Sequence, residues 1–124
     1  MADLDNIAKE FANYYYTTFD NDRKALAPLY SDVSMMTWEG TQHLGTANIM
    51  EKLVTLPFQR IAHKITTIDT QPSIQGTNAI IISITGQLMF DDEPKPQQFC
   101  QTFQLVNNNN SFFIFNDVFR LNYA

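Results

Sequence analysis

The order of periodicities along the chain predicts an α+β fold, with helices packed on one face of a strongly bent antiparallel β-sheet. Apolar residues recur at helical spacing between Leu4 and Val54. From Arg60 onward the period is two, and four long β segments follow, at 60–71, 78–90, 97–107 and 111–122. The joints between them are rich in Pro, Gly, Asn or acid, which predicts an antiparallel meander. No linker, repeat or composition break interrupts the 124 residues. A single domain over 1–124 is expected, with enough chain for a substantial core.

The first helix is predicted from Leu4, Ile7, Ala8, Phe11, Ala12, Tyr14 and Tyr15, which fall on one apolar stripe. Asp3 is its expected N-cap. "FDND" ends it, and Asp22 is placed to cap a second, shorter helix through Tyr30 that Pro28 should shorten or kink. Val33–Trp38 reads as a strand. "LGTANIMEKLVTLP" reads as a third helix, with Thr46 as N-cap, Ile49, Met50, Leu53 and Val54 as its stripe and Pro57 after its end. Asn107–Asn110 reads as a short loop.

Both faces of the sheet carry apolar residues. In the last strand, alternation sets Phe113, Phe115, Phe119 and Leu121 against Phe112, Ile114 and Val118. In the 78–90 strand it sets Ile80, Ile82, Ile84 and Leu88 against Ala79, Ile81 and Met89. Three short helices cover one face only. The economical cover for the other is a second copy of the chain, packed sheet to sheet. The alternative is a monomer with scattered outer apolar residues.

A net charge of −5, with eight basic residues, argues against binding nucleic acid and for a partner with a basic patch. One cysteine, Cys100, excludes an internal disulfide and a cysteine-based zinc site. The acidic amphipathic start is unlike a signal peptide, and no apolar run approaches a membrane span. A soluble, intracellular protein without membrane insertion is expected.

Little in the sequence suggests catalysis. Alternation turns His63 and Asp117 toward the interior, where they could meet as an acid/base pair in a cavity or as a satisfied core pair. No nucleophile, metal motif or phosphate loop accompanies them, so no cofactor or metal is expected. Asp20, Asp22 and Asp69 read as isolated or capping acids, and His43 as a surface residue. Asp91-Asp92-Glu93, before Pro94, is either a solvated turn or half of a docking surface for a basic partner.

Five stretches carry a resemblance: "FDNDR" (19–23), "MTWEG" (36–40), "EKLVTLPFQRIAHKITTID" (51–69), "TGQLMFDDEP" (85–94) and "FNDVFRLNYA" (115–124). In order along nearly the whole chain, they resemble the nuclear transport factor 2 family, and most closely its fungal members. The resemblance implies a cone-shaped α+β fold and a homodimer without catalytic activity. It implies a carrier that binds Ran in its GDP state and phenylalanine-glycine repeats of nucleoporins. Such a carrier takes Ran through the nuclear pore and releases it on exchange for GTP. It would occupy cytoplasm and nucleus, enriched at the nuclear envelope. Carried over by residue, Glu39 would pair with a Ran lysine, and Asp91, Asp92 and Glu93 would meet other basic residues. Trp38, Leu56, Ile61 and Phe119 would wall a pocket for a Ran phenylalanine, with Tyr15 nearby. Leu4 and Val118 would mark the nucleoporin-repeat site between subunits; both depart from the bulkier residues the family can carry there. Pro28 and "PKP" (94–96) also depart from the animal pattern. The same fold holds small dehydratases and isomerases, for which His63 and Asp117 would be the acid and base.

Overall fold

The computed structural model describes residues 2–108 and 111–122. Helix α1 (Ala2–Asn21) is followed by a 3₁₀ segment (Arg23–Leu29), strands β1 (Tyr30–Trp38) and β2 (Thr41–Leu44), and helix α2 (Gly45–Val54). Strands β3 (Ile61–Pro72), β4 (Ile80–Phe90), β5 (Gln97–Asn108) and β6 (Ser111–Leu121) complete the chain. The strands form one sheet in the order β2-β1-β6-β5-β4-β3. Strands β3 to β6 are the expected meander, but β1 runs parallel to β6. The sheet is therefore mixed rather than wholly antiparallel. The chain passes through β2, α2 and three further strands before returning beside β1, and it arrives in the same direction.

Helix α1 buries Ala8, Ala12, Tyr15, Tyr16 and Phe19 against the inner face of the sheet. Tyr14 falls off this stripe and is exposed, while Tyr16 takes its place. Phe11 and Tyr15 both set ring edges against Phe103 of β5, at 4.9 and 4.8 Å. The helix already runs from Ala2, so Asp3 lies inside its first turn, where its charge still suits the positive end of the helix dipole. Asp22 caps the 3₁₀ segment as expected, accepting from the Lys24 N–H at 3.2 Å. Thr46 does not cap α2, because that helix starts from Leu44 without a side-chain cap. Strand β2 was not expected. Asn107 and Asn108 continue β5, and the rest of the expected 107–110 loop lies outside the described residues.

Irregularities in β3 and β6 set which residues face inward there, and β1 carries a further register shift between Tyr30 and Met35. In β3 the register slips between Ile65 and Thr67, opposite Gly86. In β6 it slips at Phe115, between the pairs Leu105–Ile114 and Gln104–Asn116. Simple alternation fails there. Ile114 is buried before the bulge, and Asp117 and Phe119 after it. Phe113 and Phe115 therefore do not share the inner face with Phe119. Their rings meet edge to face, 6.4 Å apart, before the inward set resumes. No described helix is long and apolar enough to cross a membrane.

Candidate functional site

Strand β1 ends at Trp38, paired with Thr41 across a two-residue turn. Glu39 and Gly40, at φ 51° and 89°, form that turn. Positive φ at both positions is what a type I′ hairpin requires. Glu39 is fastened to β6. Its N–H donates to the Phe119 carbonyl at 3.1 Å, and its Oε1 accepts from the Leu121 N–H. The Trp38 ring stacks on Phe119, 4.0 Å away and 9° from parallel, and lies 6.4 Å from Phe19 on its other side. Phe119 in turn stacks toward Phe99 at 5.7 Å.

A second turn, after β4, stands at the same end of the sheet. Asp91 adopts φ 51°, a left-handed conformation that Asp and Asn tolerate better than most residues. Its Oδ1 accepts from the backbone N–H groups of Gln59 and Arg60, both at 3.0 Å. Its own N–H donates to the Arg60 carbonyl at 2.8 Å. Asp92 pairs with the Arg60 guanidinium at 2.8 Å in open solvent. Glu93 is exposed.

Between these turns lies an apolar pocket of about 290 Å³. Trp38, Phe119 and Leu88 line it, with Phe58, Phe90, Leu121 and Gln97 toward its opening. Phe58 and Phe90 pack together at 4.7 Å. A cavity of roughly 150 Å³ holds benzene, so a phenyl ring fits here. Trp38 and Phe119 are both in the pocket's lining. Leu56 is buried in the core and is not among the residues lining the pocket, and Ile61 lines a different cleft, shared with Phe19 and Arg23. Tyr15 is fully buried in the core and does not reach the pocket. Phe58 went unseen because it lies in an irregular segment with no period to follow. Phe90, Gln97 and Leu121 sit at strand ends, where alternation gives a face but not the end that opens.

His63 and Asp117 do not pair. The His63 Nδ1 meets Asp20 Oδ1 at 2.6 Å, and its backbone N–H donates to Asp20 Oδ2 at 3.0 Å. Asp20, expected as an isolated or capping acid, thereby ties the end of α1 to edge strand β3. Asp117 instead joins a network in the core. Gln101 Nε2 donates to its Oδ1 at 2.7 Å and the Tyr30 hydroxyl to its Oδ2 at 2.8 Å. Tyr16 donates to Gln101 Oε1 at 2.7 Å, and Tyr15 lies 2.8 Å from the Tyr30 oxygen. Burial raises the Asp117 pKa from 3.8 to about 6, and the three donors around it only partly offset that. Burial, and then the Asp117 charge, push Tyr15 and Tyr30 well above the ordinary phenol range. Burial does the same to Tyr16, with neighbouring Tyr15 next in weight. None of these groups lines the pocket that reaches Trp38. Among the described residues, no three His, Cys, Asp or Glu side chains converge as a metal site.

Helices laid on the inner face of a mixed, curled sheet, with an aromatic pocket at one end, define a cone-type α+β domain. Residues 7–121 match the Nuclear transport factor 2 (NTF2) domain, and the chain belongs to that family. It is 49% identical to nuclear transport factor 2 of Schizosaccharomyces pombe over 124 residues, covering all of both chains. The structure of nuclear transport factor 2 from Cryptosporidium parvum superposes with a TM-score of 0.89 at 47% identity, over 96% of this chain and 94% of that one. A putative dehydratase from the NTF2-like family of Streptomyces avermitilis shares the fold alone, with a TM-score of 0.79 at 14% identity over the whole of both chains.

Proposed function

We propose that this protein is a nuclear transport carrier for Ran in its GDP-bound state. The observation that carries the reading is the aromatic pocket of about 290 Å³ with carboxylates on both sides of its opening. An apolar hole with an acidic rim suits a basic partner segment that carries an aromatic anchor. In this reading, a Ran phenylalanine enters between Trp38 and Phe119, and Leu56 and Ile61 support the wall from behind. Glu39 holds a lysine at one rim, while Asp91, Asp92 and Glu93 present negative potential at the other. The near-complete coverage of relatives named nuclear transport factor 2 supports the transport role. The protein acts as a homodimer without catalysis, and it binds phenylalanine-glycine nucleoporin repeats near Leu4 of one subunit and Val118 of the other. Its place is then the cytoplasm, the nucleus and the pore between them.

The test is binding to purified Ran loaded with GDP and, separately, with a non-hydrolysable GTP analogue. Binding to the GDP form alone is expected, weakening as salt rises. Glu39→Lys sets like charges face to face and should lower affinity by about a hundredfold or more while the chain stays folded. Equal affinity for both nucleotide states, or a Glu39→Lys protein that binds normally, would overturn the reading.

A further inference from the structure

A second cleft, of about 220 Å³, adjoins the aromatic pocket. Phe19, Arg23, Val54, Gln59 and Ile61 line it, with Asp20 and Asp22 beside them. Three links join cleft and pocket. Gln59 directly follows Phe58, which lines the pocket. Ile61 pairs across the sheet with Phe90, another pocket residue. The Phe19 ring lies 6.4 Å from that of Trp38. One extended segment of a partner can thus reach both.

Most polar groups of the cleft are taken up within the chain. Both Asp20 oxygens bind His63, and Asp22 Oδ1 accepts from the Lys24 N–H. Arg23 Nη2 donates to the Phe58 carbonyl at 3.0 Å, and the guanidinium carbon lies 5.9 Å from the centre of the Phe19 ring. Arg23 Nη1 differs. It is buried and, among the described residues, has no hydrogen-bond partner. A guanidinium keeps its charge and its donors at any ordinary pH, and a buried donor without an acceptor is costly. An acceptor brought by a partner removes that cost. Because Asp20 and Asp22 flank the cleft, a neutral carbonyl suits it better than a carboxylate.

We propose that the cleft is the second half of the partner site, in which Arg23 Nη1 donates to a backbone carbonyl of the segment whose aromatic side chain fills the pocket. The proposal rests on the reading of the pocket as the Ran site and deepens it. The pocket selects the side chain, and the cleft fixes the backbone next to it.

Two substitutions separate this role from a structural one. Arg23→Lys keeps the charge and a donor for the Phe58 carbonyl but loses the second arm of the fork. Val54→Phe fills the cleft from α2, at a position that is 40% exposed, and leaves Arg23 in place. Each should lower affinity for purified Ran-GDP about tenfold, the worth of one hydrogen bond to a charged group. Trp38 emission and the urea midpoint should stay native, so that neither loss comes from the pocket or the fold. Native affinity in both variants would overturn the proposal. A capped Ala-Ala-Phe-Ala-Ala peptide tests the cleft without Ran, followed by methyl NMR. Leu88 and Leu121 report the pocket, and Val54 and Ile61 the cleft. Both pairs should shift along one saturation curve, and Arg23→Lys should lose the shifts of Val54 and Ile61 alone. Shifts confined to Leu88 and Leu121 in the native chain would show that the cleft takes no part. If native protein fails to bind Ran-GDP while the peptide moves both pairs, the assigned partner is lost and the cleft stands.

Discussion

Asp117 sits where no water reaches it, and three neighbours stabilise its charge only in part. Its folded pKa, about 6, lies above its ordinary value of 3.8. Protonation is therefore easier in the folded chain than in the unfolded one. The resulting stability is fully present below about pH 4 and is lost as pH rises through about 6, a change of about 3 kcal/mol. Asp117→Asn keeps an oxygen for Gln101 and has no charge to bury. Urea unfolding of both proteins should show the variant gaining about 3 kcal/mol on the native chain between about pH 4 and pH 7. A difference that stays flat would mean that Asp117 is not the group taking up the proton. The chain's alternation was enough to turn Asp117 and His63 inward, but not to name their partners. Asp20, Tyr30 and Gln101 come from three other elements, and only the tertiary arrangement brings them within hydrogen-bond reach. In the same way, Trp38 was legible as the end of a strand beside an acidic residue, whereas Phe58 was not, because an irregular segment has no period.

Strand faces were legible wherever the pleat is regular. Ile80, Ile82, Ile84 and Leu88 are buried as alternation predicts, and α1 and α2 follow their 3.6-residue stripes except at Tyr14 and Val54, which are exposed. In the sheet, the misplacements fall at irregularities. The bulge at Phe115 reverses the face of half of β6, and a bulge leaves no mark in an unbroken apolar run such as "SFFIF". The parallel pairing of β1 with β6 is equally silent, since it depends on where the chain returns and not on what β1 contains. Gly86 does mark its irregularity. It faces the β3 bulge, and a Cβ built there would collide with the Lys64 carbonyl and approach the Phe99 ring at 3.1 Å. The backbone of a paired strand cannot yield as a flexible side chain can. Gly86→Ala should therefore destabilise the fold by about 3 kcal/mol, as overpacking in a core does. Chemical denaturation is the direct measurement, and a cost below about 1 kcal/mol would show that β3 and β4 separate more easily here than the geometry implies.

At the scale of the molecule, the two ends and two faces of the sheet differ in what they offer. The inner face is filled by α1 and its core. The pocket opens where β1, β4 and β6 end and β5 begins, so its chemistry resides in one chain. The outer face is different. Met89 and Val118 are 42% and 44% exposed there, and Phe113 and Phe115 add aromatic area beside the bulge. Across the same face, Asn116 donates to Gln104 at 2.8 Å and Gln104 to Ser73 at 2.8 Å, so polar side chains between the apolar ones are already paired. A surface that is apolar, with its polar groups satisfied internally, loses little on being covered. A second copy related by a two-fold axis would cover it with the same surface, so any substitution there occurs twice in one interface. Introducing charge is then the sharpest probe. Phe115→Asp combined with Val118→Asp places two pairs of carboxylates in that contact, where burial without partners is costly. Sedimentation equilibrium should find the native chain at twice 14.3 kDa and the double variant at 14.3 kDa. The variant should keep native Trp38 fluorescence, because Phe115 and Val118 are not among the residues lining the pocket. A native chain that sediments at 14.3 kDa would leave the outer face without its second copy.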